Sequence, residues 1–120
     1  MQALHHVQIT IPPGAEAAAR DFYAGVLGLR EIPKPPALAQ RGGLWFELGQ
    51  SQLHIGAENA PERRGGKAHV AYQVQDLAAI QQQLEAAGCE ILASIPIPGM
   101  QRFESRDPFG NRLEFVCLQE

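Results

Sequence analysis

Two segments of this chain share one pattern, and this internal repeat constrains the fold more than any other feature of the sequence. An alternating apolar run begins at His6, and a second begins at His69. A helical pattern follows each run and ends at a glycine, Gly28 in the first copy and Gly88 in the second. The sequence therefore predicts two copies of one supersecondary unit.

Each copy is predicted to contain a strand, a helix and three further strands. Period-two alternation of polar and apolar residues indicates the strands, and apolar residues at three- and four-residue spacing indicate the helices. Asp76 is a favourable N-cap for the second helix. The first copy is predicted to have strands at 4–11, 29–32, 43–48 and 51–57 and a helix at 15–27; the second has strands at 68–74, 90–93, 101–105 and 112–118 and a helix at 77–87.

Composition limits the partners that we expect. The chain has 120 residues, of which 45% are hydrophobic and 19% charged, and this favours one globular domain with its own core. Its formal net charge is -3, and its longest basic run is Arg63-Arg64, so we expect neither nucleic acid nor a membrane as a partner. Cys89 and Cys117 lack the spacing of a zinc ribbon or a redox dithiol. With no leader-like or membrane-spanning apolar run, the expected location is cytoplasmic.

Aligning the two copies pairs four potential metal ligands. His6 aligns with His69 at an offset of 63 residues, and the offset of 60 in the later strands places His54 over Glu114. His54 or Glu114 alone would be interpreted as a solvated side chain. Strand parity, however, places all four residues on the sheet faces opposite the apolar positions. Three imidazoles and one carboxylate suit Zn, Fe, Mn, Co or Ni. His5 has the other parity, and we expect it to be structural.

Four motifs of the chain resemble those of the vicinal oxygen chelate superfamily, which includes glyoxalase I, extradiol dioxygenases, and fosfomycin- and bleomycin-resistance proteins. The motif Asp-Pro-Phe-Gly-Asn followed by a glutamate is specific for the superfamily and much less specific for one activity. The resemblance implies an α+β fold in which two βαβββ modules form mixed sheets that curl around a concave cavity. It implies a single domain, 1–120, with modules at about 1–58 and 67–120, and a homodimer that completes the site. The motifs lie at 4–9, 21–29, 67–72 and 107–115.

The resemblance also implies that His6, His54, His69 and Glu114 hold a divalent metal ion. In glyoxalase I the position of His54 is typically a glutamate, so this chain departs from the pattern there. Extradiol dioxygenases use two histidines and one glutamate; His6, His69 and Glu114 would then suffice, and His54 would face the substrate or support a ligand. Glu114 is the predicted catalytic acid or base.

We therefore expect a divalent-metal-dependent enzyme acting on a small oxygenated substrate, either a glyoxalase-like lyase or isomerase or, as the second choice, an extradiol dioxygenase. The alternative is a metal-free small-molecule or drug-binding protein similar to bleomycin-resistance proteins, which would not need the four potential ligands. Substrate contacts are predicted at Arg41, Trp45, Arg102 and Phe103. The competing interpretation makes the aromatic residues part of the core and the arginines solvated.

Overall fold

The computed structural model describes residues 1–60 and 62–119, and the chain forms two compact units, Met1–Pro61 (unit 1) and Glu62–Glu120 (unit 2). Each unit contains a four-stranded mixed sheet and a helical segment. The order of strands across each sheet is first, fourth, third, second, with the first and fourth strands parallel and the other neighbours antiparallel. The predicted α+β architecture of two βαβββ modules is confirmed.

Unit 1 forms its core on the apolar face of its sheet. The side chains of Leu53 and Ile55 are buried there, and the ring of Tyr23 from the helical segment lies 6.1 Å from that of Phe46. The helical segment therefore packs on the face that alternation predicts to be apolar. The elements are β1 His6–Ile11, α1 Glu16–Arg20, β2 Arg30–Ile32, β3 Leu44–Leu48 and β4 Ser51–Ala57.

The first helix differs from the amphipathic α-helix predicted at 15–27. Its α-helical part, α1, continues directly as a π-helical segment, Asp21–Val26. There the amide of Leu27 donates to the carbonyl of Phe22, five residues earlier, at 2.9 Å. The wider π turn accompanies the burial of two consecutive aromatic side chains, Phe22 and Tyr23. The segment ends before Gly28, whose φ of 77° fits the predicted left-handed cap.

Unit 2 repeats the plan of unit 1. The side chain of Asp76 accepts a hydrogen bond from the amide of Ala79 at 3.0 Å, which confirms the predicted N-cap. The strand predicted at 90–93 is shorter, and the carbonyl of Glu90 instead accepts a bond from Oγ of Ser105 at 2.8 Å. The elements are β5 His69–Gln73, α2 Leu77–Ala86, β6 Leu92–Ala93, β7 Met100–Arg106 and β8 Arg112–Leu118.

The repeat extends to the register of the parallel strands. In both units, the candidate ligand on the fourth strand lies two residues beyond the register partner of the histidine that begins the first strand. The two halves of the chain therefore place their candidate residues at equivalent points of their sheets. The register pairs are His6 with Gln52 and His69 with Arg112, and the fourth-strand candidates are His54 and Glu114.

The loop between β2 and β3 contains a short 3₁₀ turn, Ala39–Arg41, that the sequence patterns do not predict. Gly42 and Gly43 follow it with φ values of 74° and 85°. The predicted connection at 59–67 contains Pro61, which lies outside the described residues. Within the described ranges, no helix has the length and apolar character needed to cross a membrane.

Candidate functional site

Three aromatic rings form a stack on the polar sheet face of unit 1. The ring centroid of His54 lies 4.0 Å from that of His6 and 4.0 Å from that of Trp45, with interplanar angles of 14° and 6°. The stack follows from the sheet, because β4 lies between β1 and β3 and Trp45 is the register partner of His54. His54 is thereby held between two rings and is only 5% exposed.

His54 is also fixed by a hydrogen bond along its own strand. Its Nε2 lies 2.8 Å from Oε1 of Gln52. Since a carbonyl oxygen only accepts, Nε2 carries the proton and Nδ1 carries the lone pair. Burial lowers the pKa of His54, and electrostatic interaction with His6, His5 and Lys34 lowers it further. The imidazole is therefore neutral at physiological pH.

The stacked orientation restricts what His6 and His54 can bind together. The lone pair of an imidazole lies in the plane of its ring, and these two planes are only 14° from parallel. Lone pairs in nearly parallel planes do not converge on one point. Both rings can bind the same ion only if one of them first rotates out of the stack.

A cavity of about 670 Å³ opens beside this stack, within unit 1. Arg41 and Trp45, both predicted to contact substrate, border it together with Lys34 and His5. No aspartate or glutamate is among the described residues that line it. The cavity is therefore basic.

The candidate residues of unit 2, His69 and Glu114, lie side by side, and His69 is hydrogen-bonded to the backbone. Nδ1 of His69 lies 2.9 Å from the carbonyl oxygen of Lys67, so Nδ1 donates and Nε2 keeps its lone pair. That Nε2 lies 3.9 Å from Oε1 of Glu114. A carbonyl that accepts from one ring nitrogen fixes the tautomer that leaves the other free to bind a metal. His69 and Glu114 therefore supply two of the ligands that a metal site would need.

Arg102 covers Glu114 from the neighbouring strand. Its Nη1 lies 2.5 Å from Oε1 of Glu114, while Nε and Nη2 donate to the carbonyl of Ile95 at 3.1 and 2.7 Å. The side chains of Arg102 and Glu114 are 14% and 12% exposed. The guanidinium predicted to contact substrate is therefore already bound to a carboxylate and a backbone carbonyl.

A second ion pair completes the polar face of unit 2. Glu104 accepts from Nε and Nη2 of Arg112 at 2.9 and 2.8 Å and lies 3.9 Å from Arg102. The hydrogen bond from Arg112 lowers the pKa of Glu104 despite the opposing effect of burial. Two guanidinium groups and two carboxylates thus neutralise one another on this face.

Phe103 lies on the other face of the unit 2 sheet from Glu114. It is 6% exposed, and its ring centroid is 5.4 Å from that of Phe115. Its surroundings are those of a core aromatic residue, and a contact between Phe103 and substrate stays a prediction.

The available donors fit a divalent cation by their chemistry. Imidazole nitrogens and a carboxylate are ordinary ligands for Zn and for Mn, Fe, Co or Ni. Within 1–60 and 62–119, the structure gives Oε2 of Glu114 no hydrogen-bond partner, so one carboxylate oxygen is available beside the lone pair of His69. The donors come in pairs, and no three His, Cys, Asp or Glu side chains of the described ranges form a group that could hold a metal ion.

Sequence reasoning missed part of the site. Gln52 shares strand parity with His54, so period two could have predicted their contact. Lys34 lies in a proline-rich loop that has no periodicity, and no sequence signal places it at the cavity. His5 was expected to be structural, yet it borders the cavity, with Nδ1 3.0 Å from Nδ1 of His6.

Comparison with known proteins identifies the family. The model of the glyoxalase/bleomycin resistance protein/dioxygenase superfamily matches residues 3–115. A glyoxalase family protein of Bacillus anthracis is 40% identical, with 99% of this chain and 97% of that chain covered and a TM-score of 0.91. Among curated proteins, the comparison finds no significant match.

More distant structures share the fold. A glyoxalase/dioxygenase of Nostoc punctiforme is 19% identical, with a TM-score of 0.81 and coverage of 99% of this chain and 92% of that one. A FosX variant of Listeria monocytogenes, complexed with Mn(II) and 1S,2S-dihydroxypropylphosphonic acid, is 17% identical, with a TM-score of 0.75 and coverage of 96% and 89%. The family match over nearly the whole chain confirms the resemblance, and the chain belongs to the glyoxalase/bleomycin resistance protein/dioxygenase superfamily.

Proposed function

We propose that this chain is a divalent-metal-dependent enzyme that acts on a small oxygenated substrate as a glyoxalase-like lyase or isomerase. The observation that carries the proposal is the pair in unit 2, in which the Lys67 carbonyl fixes the tautomer of His69 and leaves its Nε2 3.9 Å from Glu114. The Mn(II) in the FosX complex supports a cation in this fold.

We assign His6, His69 and Glu114 as the metal ligands. His54 belongs to the same predicted set, but its ring is held by Trp45 and its Nε2 by Gln52. Binding the ion through His54 would require these contacts or the stack with His6 to change. His54 therefore suits a supporting role, in which it fixes the ring of His6.

Glu114 is the residue we assign as the acid or base. Arg102, itself held by the Ile95 carbonyl, donates to Oε1, so Oε2 is the oxygen left for both proposed roles of Glu114. When not held by the cation, Oε2 would accept a proton from a carbon next to a substrate carbonyl and return it to the adjacent carbon. A bound divalent cation would supply Lewis-acid polarisation of the substrate's neighbouring oxygens. Arg102 positions the carboxylate, and its predicted contact with substrate would require it to leave Glu114.

Metal analysis of protein purified without an affinity tag tests the proposal. We expect a bound divalent metal that is lost in His69→Ala and Glu114→Ala and kept in the control Gln73→Ala, which changes an exposed residue of the same strand. Oxygen consumption with catechols would identify a dioxygenase, and conversion without oxygen uptake a lyase or isomerase. Metal-free protein, with no metal uptake on titration, would contradict the proposal.

A metal-free binding protein is the second candidate. The ion pair that occupies Oε1 of Glu114 and the stacked rings of His6 and His54 favour it, because Arg102 engages one of the two carboxylate oxygens and the lone pairs of the two rings do not converge on one ion. This candidate predicts that binding of an aromatic drug survives treatment with chelator, whereas the metal-dependent enzyme predicts that ligand binding is lost.

Three further expectations accompany the proposal. The partner is a small molecule, the chain forms a homodimer, and the protein is cytoplasmic. Sedimentation velocity tests the dimer, and fractionation of the source cells tests the location.

A further inference from the structure

We propose that the cavity of unit 1 is an oxyanion subsite, in which Lys34 and Arg41 bind a carboxylate or phosphoryl-type group of the substrate. The inference rests on the proposed function, because it names the chemical class of the substrate for the same site. The features that carry it all lie within unit 1.

The charged residues that line the cavity are of one sign. Lys34 and Arg41 border it, and no acidic side chain is among the described residues of its lining; Oε1 of Glu16 lies outside that lining, 3.7 Å from the position of a Cβ atom added to Gly42. This occurs in a chain whose net charge is -3. A basic cavity in an acidic protein concentrates anions from solution.

Arg41 differs from the other arginines of unit 1. Arg20 and Arg30 lie outside the cavity, and each forms a 2.7 Å ion pair with a glutamate. Within the described part of the chain, the structure records no ion pair for Arg41. Its planar group of donors therefore remains available for an oxyanion from outside.

Lys34 is held at the edge of the cavity by its hydrogen bond to the carbonyl of Gly42. An ammonium group has three donors, so two remain for a ligand. The bond also reduces the entropy that a long, flexible side chain would lose on binding. The lysine is therefore partly preorganised for an anion.

Small residues give the subsite its space. Gly42, Gly56 and Ala57 line the cavity, and a Cβ atom added to Gly56 would lie 3.1 Å from Nε2 of Gln8. The amide of Gln8 therefore lies over Gly56 and offers two further neutral donors. A compact oxyanion would meet cationic donors from the loop and amide donors from the sheet.

The only tryptophan of the chain, Trp45, lines this cavity and gives a direct signal of binding. The probes are lactate, its neutral analogue lactamide, and inorganic phosphate, titrated into chelator-treated protein that has been dialysed, at constant ionic strength. We expect lactate or phosphate to change Trp45 fluorescence with an affinity at least about tenfold higher than that of lactamide. A response to lactate alone identifies a carboxylate subsite, and a response to phosphate alone a phosphoryl-type subsite.

Charge-removing variants locate the subsite. Lys34→Gln and Arg41→Gln should each weaken binding of the anion by about tenfold, while Lys34→Arg should retain most of it. The matched control Arg20→Gln removes one positive charge from the same unit outside the cavity and should change affinity less than about twofold. Equal binding of lactate and lactamide, no binding of either anion, or equal losses in Arg41→Gln and Arg20→Gln would overturn the inference.

Metal binding measured on the same variants separates the two proposals. Lys34→Gln and Arg41→Gln should take up a divalent metal as the parent chain does. Metal uptake without anion binding overturns the subsite alone, whereas anion binding without metal uptake overturns the metal-dependent function alone.

Discussion

The polar sheet faces of the two units share one register but differ in electrostatics. Unit 1 presents a histidine stack and a basic cavity whose lining has no acidic member among the described residues. Unit 2 presents two arginines and two glutamates that neutralise one another. The two units therefore share a backbone arrangement but not its chemistry. The polar side chains of unit 1 line a cavity, whereas those at equivalent positions of unit 2 form ion pairs with one another.

The difference can be traced to two positions. Arg102 and Val116 are register partners in unit 2. Extending the register of β3 and β4 by one residue places Gly43 and Gly56 at the equivalent points of unit 1. Where unit 2 has a guanidinium and an isopropyl group, unit 1 has two glycines, of which Gly56 lines the cavity.

The largest expected effect on stability comes from adding a side chain at Gly43, whose equivalent position in unit 2 is Arg102. A Cβ atom on Gly43 would lie 2.1 Å from the carbonyl oxygen of Ile55, and φ is +85°. We expect Gly43→Ala to lower the free energy of unfolding by about 3 kcal/mol or more, measured by urea denaturation. In the control Gly14→Ala, φ is +84° but nothing lies within 4 Å, so the loss should be only about 1 kcal/mol. Equal losses would show that backbone strain alone restricts Gly43.

The second prediction compares the fourth-strand candidates of the two units. We expect Glu114→Gln to weaken binding of Mn²⁺ or Zn²⁺ more than about 100-fold, because it removes a ligand, and His54→Gln to weaken it by at most about tenfold. Calorimetric titration of the metal-free protein with each ion measures both changes. A loss in His54→Gln as large as that in Glu114→Gln would identify His54 as a ligand and contradict its supporting role.

The third prediction compares Arg102, which is ion-paired, with Arg41, for which the described residues 1–60 and 62–119 show no ion pair. Arg102→Ala removes the partner of a largely buried carboxylate and two bonds to the Ile95 carbonyl, so the free energy of unfolding should fall by about 2 kcal/mol. Arg41→Ala removes an exposed side chain and should change it by less than about 0.5 kcal/mol. Urea denaturation checks both values, and a comparable loss in Arg41→Ala would show that Arg41 has a structural partner.

The last prediction concerns Gly56, where valine would reproduce the unit 2 side chain and should change stability little. The added Cβ meets only the flexible end of Gln8, at 3.1 Å, so the free energy of unfolding should change by less than about 1 kcal/mol. Binding of lactate or phosphate should nevertheless be weakened strongly, because the isopropyl group would occupy the part of the cavity beside Gln8 in which the anion is proposed to bind. Gly56→Ala should give an intermediate loss in the Trp45 titration, and an unchanged affinity in both variants would place the anion elsewhere.

Much of the fold could be predicted from the sequence because period-two alternation fixes which face of a strand is buried. The bounds of β4 and β8 coincide with the predicted strands, and the N-cap at Asp76 is confirmed. The π-helical segment could not be predicted, because a bond to the fifth rather than the fourth preceding carbonyl leaves no distinct residue pattern. Nor could the contact of Glu90, where a strand is predicted, because its carbonyl accepts from Ser105, fifteen residues away.

The sequence by itself determined the repeat, the polar face of each strand and the candidate ligands His6, His54, His69 and Glu114, since strand parity and equal offsets are local properties of the chain. Only the tertiary structure decided which of these side chains are already engaged. Three features depend on contacts between different strands and loops: the stacking of the His54 ring, the ion pair between Arg102 and Glu114, and the position of Lys34 at the cavity. Hydrophobic periodicity specifies where a strand is buried, but the partner of a polar group is set by the loop or strand that folding brings beside it.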